Sequence, residues 1–477
     1  MTDLADLDAT GTAEAIREGD ISPSEVVAAA IARIEKLNPD LNAVIHPMFD
    51  KATDAAASPE LPYGPFRGVP IVVKDLNTPT AGDPYHEGMR YLRDLKWTAD
   101  EDGTVATRLR AAGFVIVGRT NTPELGLLPT TEPVAYGATR NPWDVTRSTG
   151  GSSGGTAAAV ASRMVPIGHG TDGGGSIRIP ASACGLVGLK PSRGRVSTGL
   201  GEAMAGLSVE HVLTRSVRDS AAVLDILSGP GSGDPYSAPT PARSYLEEID
   251  ARIDPLRVGL MRSTPASLTS MHPDALAAVD EAARLLEAAG HFVEEAHPAA
   301  LDEPEYLLQY GALTLADVAA CLDDWSAITG KPIGQDDVEI HTWAIAELGR
   351  MVSGAQVLNA RQWLFAFARR MAGWWTSYDL LLTPTMTAPP PPLGSLVATP
   401  EEPLAAGLAA SELVPFTPAF NATGQPAVSL PVAWNGEGLP IGVHLVAAYG
   451  HEEVLIRVAS QLEQACNWAA RKPPVSA

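Results

Sequence analysis

The sequence has few cysteines and no long apolar segment, and both shortages argue against whole classes of protein. Its 477 residues include three cysteines, Cys184, Cys321 and Cys466, which lie far apart and lack CxxC spacing. This pattern argues against a disulfide framework and a zinc knuckle, and it fits the reducing cytoplasm. No run of 18 apolar residues occurs, and the first ten residues show no basic region followed by an apolar stretch. We therefore predict neither a membrane span nor an export signal.

Positive charge is also scarce. The chain has 34 Lys and Arg against 56 Asp and Glu, a net charge of −22. Such a balance repels polyphosphate and anionic lipid, so neither nucleic acid nor a membrane surface is expected as a partner. We interpret the acidity as a solubilising surface, and electrostatic steering of a cationic substrate is the alternative.

The composition is that of a folded protein, with 45% hydrophobic and 19% charged residues. Apolar runs of strand length alternate with helical patterns, which predicts an α/β layer architecture. Residues 68–74 and 114–118 read as buried strands, and a capping box at residues 22–25 opens an early helix. The loop-like stretches 229–243 and 384–403 have strand patterns on both sides, so neither marks a domain boundary.

Residues 150–180, GGSSGGTAAAVASRMVPIGHGTDGGGSIRIP, form the most unusual stretch of the sequence. Two clusters of glycine and serine flank an apolar, helix-like piece at 157–165. Glycine at this density costs backbone entropy, so the chain needs positive φ or a very close approach of another group there. A flexible linker is the alternative, but Gly-Ser linkers do not carry a buried apolar insert. The stretch therefore predicts a structured loop that positions chemistry.

Two familiar motifs match this stretch only formally. Residues 168–173 fit GxGxxG, but Pro180 ends any helix within a few residues and no strand ending in an acid follows at the expected distance. Residues 151–155 fit GxSxG, but turn formers occupy 141–144 and 147–149, where a nucleophile elbow requires a strand. A dinucleotide site and an α/β-hydrolase elbow are therefore disfavoured, and a serine in a glycine-lined turn remains.

A serine nucleophile needs a group that takes its proton, and the sequence offers few. None of the ten histidines is paired with a nucleophile motif, and we interpret His169 as structural. Among seven lysines, Lys74 ends the apolar run 68–73, where burial pushes the ammonium pKa down from about 10.4 toward neutrality. An ion pair with Asp75 is the alternative role for Lys74. Lys190, in GLVGLKP, is a second lysine with apolar neighbours.

Taken together, these segments resemble the amidase signature family. The family pattern of GGSSGG followed by GTDxGGSIRxP is present at 150–155 and 170–180, with the GxPxxxKD strand upstream at 68–75. The resemblance extends over essentially the whole chain, through AYGATRNPW at 135–143 and GQPAVSLPV at 424–432. Within the family it is strongest to a bacterial branch that includes enzymes of nylon-oligomer breakdown.

The resemblance implies a Ser-cis-Ser-Lys triad. Ser176 corresponds to the acylated nucleophile, Ser152 to the serine with the cis peptide bond, and Lys74 to the base. It also implies one large domain over residues 1–477, with a mixed sheet of many strands between helices and a signature core at about 68–220.

The resemblance further implies an oxyanion hole made of backbone amides, since glycine lets the chain approach a substrate carbonyl closely. The amides are those of Gly173, Gly174, Gly175 and Ser176. Asp172 and Arg178 match family positions that brace this loop, and substrate contact is the alternative for both.

The substrate pocket is harder to predict, because variable segments contribute its side chains. By resemblance, the candidates are residues 126–131 with Thr130, then Tyr136, and the helix-like segment 306–318 with Tyr310 and Thr314. Core packing is the alternative for that helix. Its apolar and aromatic residues favour uncharged hydrophobic substrates.

The expected reaction is hydrolysis of an amide-type C–N bond in a small molecule: an amide, a cyclic oligoamide, an aryl amide or a carbamate. No metal or organic cofactor is expected, because no metal-ligand spacing occurs. The partner is then the small-molecule substrate, and self-association as a homodimer stays open. Two other functions remain: a glutaminase subunit of a tRNA-dependent amidotransferase, which works only within a partner complex, and a non-catalytic module that binds anions.

Overall fold

The computed structural model describes residues 4–199 and 203–477, and it confirms the α/β architecture as one large domain. The strands of the described chain are β1 (Val44–Pro47), β2 (Pro70–Lys74), β3 (Val115–Thr120), β4 (Arg140–Asn141), β5 (Asp144–Ser148), β6 (Ile167–Asp172), β7 (Val187–Lys190), β8 (Val209–Thr214), β9 (Arg257–Leu260), β10 (Phe292–Glu295), β11 (Leu380–Pro384), β12 (Ala427–Trp434) and β13 (Pro440–Ala447). The helices are α1 (Ala9–Glu18), α2 (Pro23–Leu41), α3 (Phe49–Ala57), α4 (Arg90–Asp94), α5 (Thr104–Ala111), α6 (Gly154–Ala161), α7 (Arg178–Cys184), α8 (Val217–Leu227), α9 (Pro273–Ala288), α10 (Glu305–Thr329), α11 (Ile340–Arg350), α12 (Gly354–Trp374), α13 (Ala405–Leu413), α14 (Pro418–Thr423) and α15 (Glu452–Cys466).

Eleven of the strands form one mixed sheet in the order β1-β3-β2-β6-β8-β7-β12-β13-β11-β9-β10, and β4 and β5 form a separate ribbon. Strand β2 is parallel to both of its neighbours, β3 and β6. The carboxyl ends of neighbouring parallel strands lie at the same edge of a sheet, which is where α/β proteins place their sites. The residues that end β2 and β6 are therefore brought together.

Strand β2 is buried on both faces, as its continuous apolar run predicts. Ile71 and Val73 pack into the core on one face of the sheet, and Val72 packs into the core on the other face with the side chains of α6. Because side chains alternate along a strand, Lys74 points to the same face as Val72. The base predicted from the sequence thus faces α6.

The described elements differ from the predictions at two places. The segment 306–318 is part of a longer helix, α10, which continues until Gly330 adopts a left-handed conformation at its end. The residues 144–148, part of the stretch predicted as turns, form strand β5 instead, because they pair with β4 and Ser148 N donates to the Pro391 carbonyl. The predicted capping box at the start of α2 is confirmed.

None of the helices within the described ranges has the length and apolar character that a bilayer crossing requires.

Candidate active site

Lys74 is the last residue of β2, and its side chain is completely buried. Its Nζ lies 2.6 Å from Ser152 Oγ and 2.7 Å from Thr171 Oγ1. Thr171 belongs to β6, the parallel neighbour of β2, so the sheet register sets this contact. The amine is therefore held between two hydroxyl groups.

Ser152 lies two residues before α6, and the peptide bond that joins it to Gly151 is cis. The next residue, Ser153, fixes this turn to β6: its Oγ donates to the Thr171 carbonyl at 3.2 Å and accepts from Thr171 N at 3.3 Å. Its backbone N also donates to the Ser176 carbonyl at 3.2 Å. The hydroxyl of Ser153, the central serine of the GxSxG match, is therefore engaged with the backbone of β6. The bond from its backbone N to the Ser176 carbonyl joins the two glycine-serine clusters directly.

Burial lowers the pKa of Lys74 from its ordinary value to about 7, although the negative charges of Asp172 and Glu210 act in the opposite direction. Desolvation disfavours the ammonium form more than these two carboxylates stabilise it. A substantial fraction of Lys74 is therefore neutral near pH 7, which a base requires.

Lys190, the competing lysine, is also fully buried, and burial together with the positive charge of Arg178 lowers its pKa strongly. Its surroundings differ from those of Lys74, because its Nζ donates to the Pro191 carbonyl at 3.0 Å. A carbonyl accepts a hydrogen bond but has no proton to give, so Lys190 has no relay partner in this contact.

Ser176 follows β6 in the glycine-rich turn and is only half-buried, unlike Ser152 and Ser153. In the same turn, Gly175 has a φ of +133°, and a Cβ built on it lies 2.4 Å from Thr417 Oγ1. Both the dihedral angle and this close approach require glycine.

The carbonyl groups of this turn are held by side chains from distant parts of the chain. Tyr310 donates its hydroxyl to the Gly173 carbonyl, and Thr417 donates to the Gly174 carbonyl, both at 2.6 Å. Since the C=O and N–H of a trans peptide point in opposite directions, these bonds aim the amides of Gly174 and Gly175 away from Tyr310 and Thr417.

The Gly175 amide then donates to Asp172 Oδ1 at 2.8 Å. The N–H of Gly175, which was predicted for the oxyanion hole, is thus directed at a buried carboxylate in this structure. The amides of Gly173, Gly174 and Ser176 remain as candidate donors to a substrate oxygen.

Asp172 and Arg178 form a buried ion pair behind the turn, with Arg178 Nη2 2.8 Å from Asp172 Oδ1 and Nε 2.9 Å from Oδ2. Asn421 completes the network, donating to the backbone carbonyl of Asp172 at 2.8 Å. Burial raises the pKa of Asp172, but the charge and hydrogen bonds of Arg178 outweigh it and hold that pKa well below its usual range. Asp172 is ionised and braces the turn instead of facing the cavity.

A cavity of about 140 Å³ brings Ser152, Thr171 and Ser176 together. Several separate segments of the chain form its walls, and α10 contributes one face. The other described lining residues are Leu76, Asn77, Glu87, Leu125, Gly126, Leu127, Gly173, Met204, Ser208, Thr314, Asp317, Val318 and Cys321.

The predicted pocket residues occupy different places. Thr314 lines this cavity, and Tyr310 touches the glycine turn. Thr130 and Tyr136 are not among the described residues that line it. Thr130 packs its carbonyl against Gly151, and the Tyr136 hydroxyl lies between the rings of His46 and His86. Thr130 supports the turn that carries Ser152, and Tyr136 belongs to a separate polar cluster.

Sequence reasoning missed three residues of the site. Thr171 lies inside the glycine-rich pattern and could have been found from its place at the end of β6 beside β2. Glu210, on β8, accepts from Thr78 and lies 2.9 Å from His169 Nε2, which shows that His169 is held in a polar network. Thr417 carries no sequence signal, because it lies 243 residues from Gly174.

Comparisons with known proteins give one family for nearly the whole chain. The amidase family model matches residues 25–456. The sequence is 42% identical over 476 residues to 6-aminohexanoate-cyclic-dimer hydrolase of Paenarthrobacter ureafaciens, covering 98% of this chain and 96% of that protein.

The fold agrees as well. A solved structure of 6-aminohexanoate cyclic dimer hydrolase superposes with a TM-score of 0.96 at 42% identity and full coverage of both chains (100% each). A glutamyl-tRNA(Gln) amidotransferase structure from Thermotoga maritima superposes with a TM-score of 0.79 at 26% identity, covering 100% of this chain and 99% of that one. The chain belongs to the amidase family, and it is a hydrolase that acts on amide C–N bonds.

Proposed function

We propose that the chain hydrolyses amide-type C–N bonds of small molecules through an acyl-enzyme on Ser176, with Ser152 and neutral Lys74 carrying the proton. The observation that supports this proposal is the 2.6 Å contact between Lys74 Nζ and Ser152 Oγ beside a cavity that Ser152 shares with Ser176. A buried amine with a pKa near 7 is matched to proton transfer at neutral pH.

In the first half of the reaction, Ser176 Oγ attacks the substrate carbonyl carbon and gives its proton to Ser152, whose own proton passes to Lys74 Nζ. The C–N bond of the tetrahedral intermediate then breaks, and the leaving nitrogen takes a proton from Ser152 as Lys74 returns one. Water attacks the acyl-enzyme in the second half, with the same relay in the reverse direction. The acid product leaves and Ser176 regains its proton.

Negative charge develops on the carbonyl oxygen during both halves. We assign its stabilisation to the amides of Gly173, Gly174 and Ser176, because preorganised N–H donors stabilise such charge without reorganisation. Tyr310 and Thr417 act as positioning residues here, since each holds a carbonyl of the turn.

The proposed substrate class is supported by the cavity and by the relative. A cavity of about 140 Å³ with Leu76, Leu125 and Leu127 in its wall suits a small amide with an apolar portion. The named substrate of the 42% identical relative is a cyclic dimer of 6-aminohexanoate, so a cyclic oligoamide is the first candidate. Aryl amides, linear amides and carbamates complete the proposed class.

The test is hydrolysis of one panel of these substrates by the purified chain, compared with its Ser176→Ala and Ser152→Ala variants. Ser176→Ala removes the acyl acceptor, so turnover should fall to background. Ser152→Ala removes the hydroxyl that carries the proton between Ser176 and Lys74. The remaining activity should be about 10²- to 10⁴-fold below that of the wild type. Full activity of Ser176→Ala on the panel would contradict the proposal.

Use of the purified chain also separates the proposal from the glutaminase alternative. A glutaminase that works within an amidotransferase depends on its partners, whereas a stand-alone hydrolase turns over without them. The higher TM-score and identity of the cyclic-dimer hydrolase favour the second case.

A further inference from the structure

One wall of the active-site cavity carries two carboxyl groups, Glu87 and Asp317. The carboxylates that act on Lys74 are Asp172 and Glu210, whereas the charge of Asp317 acts on Glu87. Glu87 and Asp317 are thus not the carboxylates that act on the base of the proposed proton relay. No lysine or arginine is found among the described residues that line the cavity.

Glu87 is 8% exposed, and its two oxygens are held by neutral donors. The Tyr85 hydroxyl donates to Oε1 at 2.7 Å, and Trp325 Nε1 donates to Oε2 at 2.8 Å. Donors to both oxygens fix the carboxyl group and favour its ionised form. Burial nevertheless raises the pKa of Glu87, and the nearby charge of Asp317 raises it further.

Asp317, on α10, is fixed in a similar way. Its Oδ1 accepts from Ala205 N at 2.9 Å, and burial raises its pKa. The donors to Glu87 and the Ala205 amide that donates to Asp317 are all uncharged groups. The wall thus presents two carboxyl groups that neutral donors orient and that no cationic side chain of the described cavity lining accompanies.

Three other buried carboxylates of the protein differ from Glu87 and Asp317 because each forms an ion pair with an arginine. Arg178 lies 2.8 Å from Asp172, Arg195 lies 3.0 Å from Glu452, and Arg119 lies 3.7 Å from Asp75. Buried charges are costly unless they are paired, so the acids at the cavity wall leave room for a positive charge from outside the chain.

We propose that this wall selects substrates that carry a protonated primary amine at a distance from the amide to be cleaved. The proposal rests on the proposed function, and it replaces the expectation of an uncharged substrate with an ω-amino amide. The alkyl part of such a substrate lies against Leu76, Leu125 and Leu127, and its ammonium group donates to Glu87 and Asp317. A net charge of −22 attracts the same substrates over longer distances.

The test uses two series of matched substrates. In one, anilides of equal acyl chain length end in an ammonium, a methyl or a carboxylate group; in the other, the same three groups end the N-alkyl chain of an acetamide. We expect kcat/KM in at least one series to fall in the order ammonium, methyl, carboxylate. A charge-assisted hydrogen bond predicts an ammonium-to-methyl ratio of about tenfold to hundredfold.

The variants Asp317→Asn and Glu87→Gln should each lower that ratio, since both keep the shape of the side chain and remove its charge. The control is Asp323→Asn, which removes the same charge from an exposed position on α10 and should leave the ratio unchanged. A ratio near one in both series, or a ratio that neither cavity variant changes, would overturn the proposal.

Binding separates this inference from the proposed mechanism. Titration calorimetry with the Ser176→Ala variant measures affinity for the same compounds without turnover. Tighter binding of the ammonium compounds to Ser176→Ala, with no hydrolysis by the wild type, would retain the specificity and refute the mechanism. Hydrolysis by the wild type, with equal affinity of Ser176→Ala for ammonium and methyl compounds, would retain the mechanism and refute the specificity.

Discussion

Lys74 and Lys190 end two strands of the same sheet, and burial lowers the pKa of both, but their surroundings give them different capabilities. Lys74 meets the hydroxyls of Ser152 and Thr171, whereas Lys190 meets the carbonyl of Pro191. Burial alone makes an amine neutral. The difference teaches that a hydroxyl partner, and not a shifted pKa alone, is what suits Lys74 to the proposed role of base.

The largest expected effect comes from removing the two amines one at a time. Lys74→Met should lower kcat/KM about 10²- to 10⁴-fold, because the relay loses its proton acceptor while the apolar volume is kept. Lys190→Met is the matched control and should retain turnover with a melting temperature near that of the wild type. Steady-state kinetics on one amide substrate measures both, and an equal loss in the two variants would show that the lysines are not functionally different.

The second effect concerns Asp172, whose charge raises the pKa of both lysines. Asp172→Asn leaves the buried Arg178 without its carboxylate, so we expect urea unfolding to show a loss of about 3–5 kcal/mol. Asp172→Asn contrasts with Asp323→Asn, an exposed ion-pair variant that should change stability by less than about 1 kcal/mol.

The pH dependence of that loss has a definite sign. The pKa of Asp172 is depressed in the folded protein, so its contribution is complete above the ordinary carboxyl pKa of about 4 and is lost as the pH falls further. The wild type and Asp172→Asn should therefore converge in acid. A difference that grows below pH 4 would contradict the assignment of Asp172 as the ionised brace.

A smaller effect is expected from a substitution that changes the pKa of Lys74 but not that of Lys190. The charge of Glu210 raises the pKa of Lys74 and is not among the charges that act on Lys190. Glu210→Gln should therefore move the acid limb of kcat/KM to lower pH, because a neutral neighbour no longer stabilises the ammonium form. A pH–rate profile measures the shift, and movement to higher pH would be inconsistent with this electrostatic account.

Removal of metal ions is expected to have no effect on activity. The proposed relay needs only side chains and backbone amides, so exhaustive dialysis against a chelator should leave kcat/KM unchanged. Activity that is lost on dialysis and restored by one divalent metal would show that the proposed relay is incomplete.

The candidate residues of the site could be found from the sequence because local patterns mark them, and the resemblance to the amidase family then implied their roles. The apolar run that buries Lys74 and the glycine clusters around Ser152 and Ser176 are visible as patterns of neighbouring residues. The sheet register then explains why they meet, since β2 and β6 are adjacent and parallel. This part of the prediction needed no knowledge of distant contacts.

The remainder depended on contacts between distant segments. Tyr310 and Thr417 reach the glycine turn from α10 and from the residue before α14, and Asp172 takes the Gly175 amide that was predicted for the oxyanion hole. Tyr136 was predicted at the pocket, but its hydroxyl contacts His46 and His86. A pattern along the chain does not specify which of several loops reaches a cavity.

The central claim is tested most directly by the rate at which a fluorophosphonate labels the protein as a function of pH. The wild type and Lys190→Met should show a rate that rises with pH through an apparent pKa of about 7 and stays high in alkali, with the adduct on Ser176 by mass spectrometry. Lys74→Met should be labelled slowly and lack this rise. An adduct on Ser152 or Ser153, or loss of the rise in Lys190→Met but not in Lys74→Met, would contradict the account.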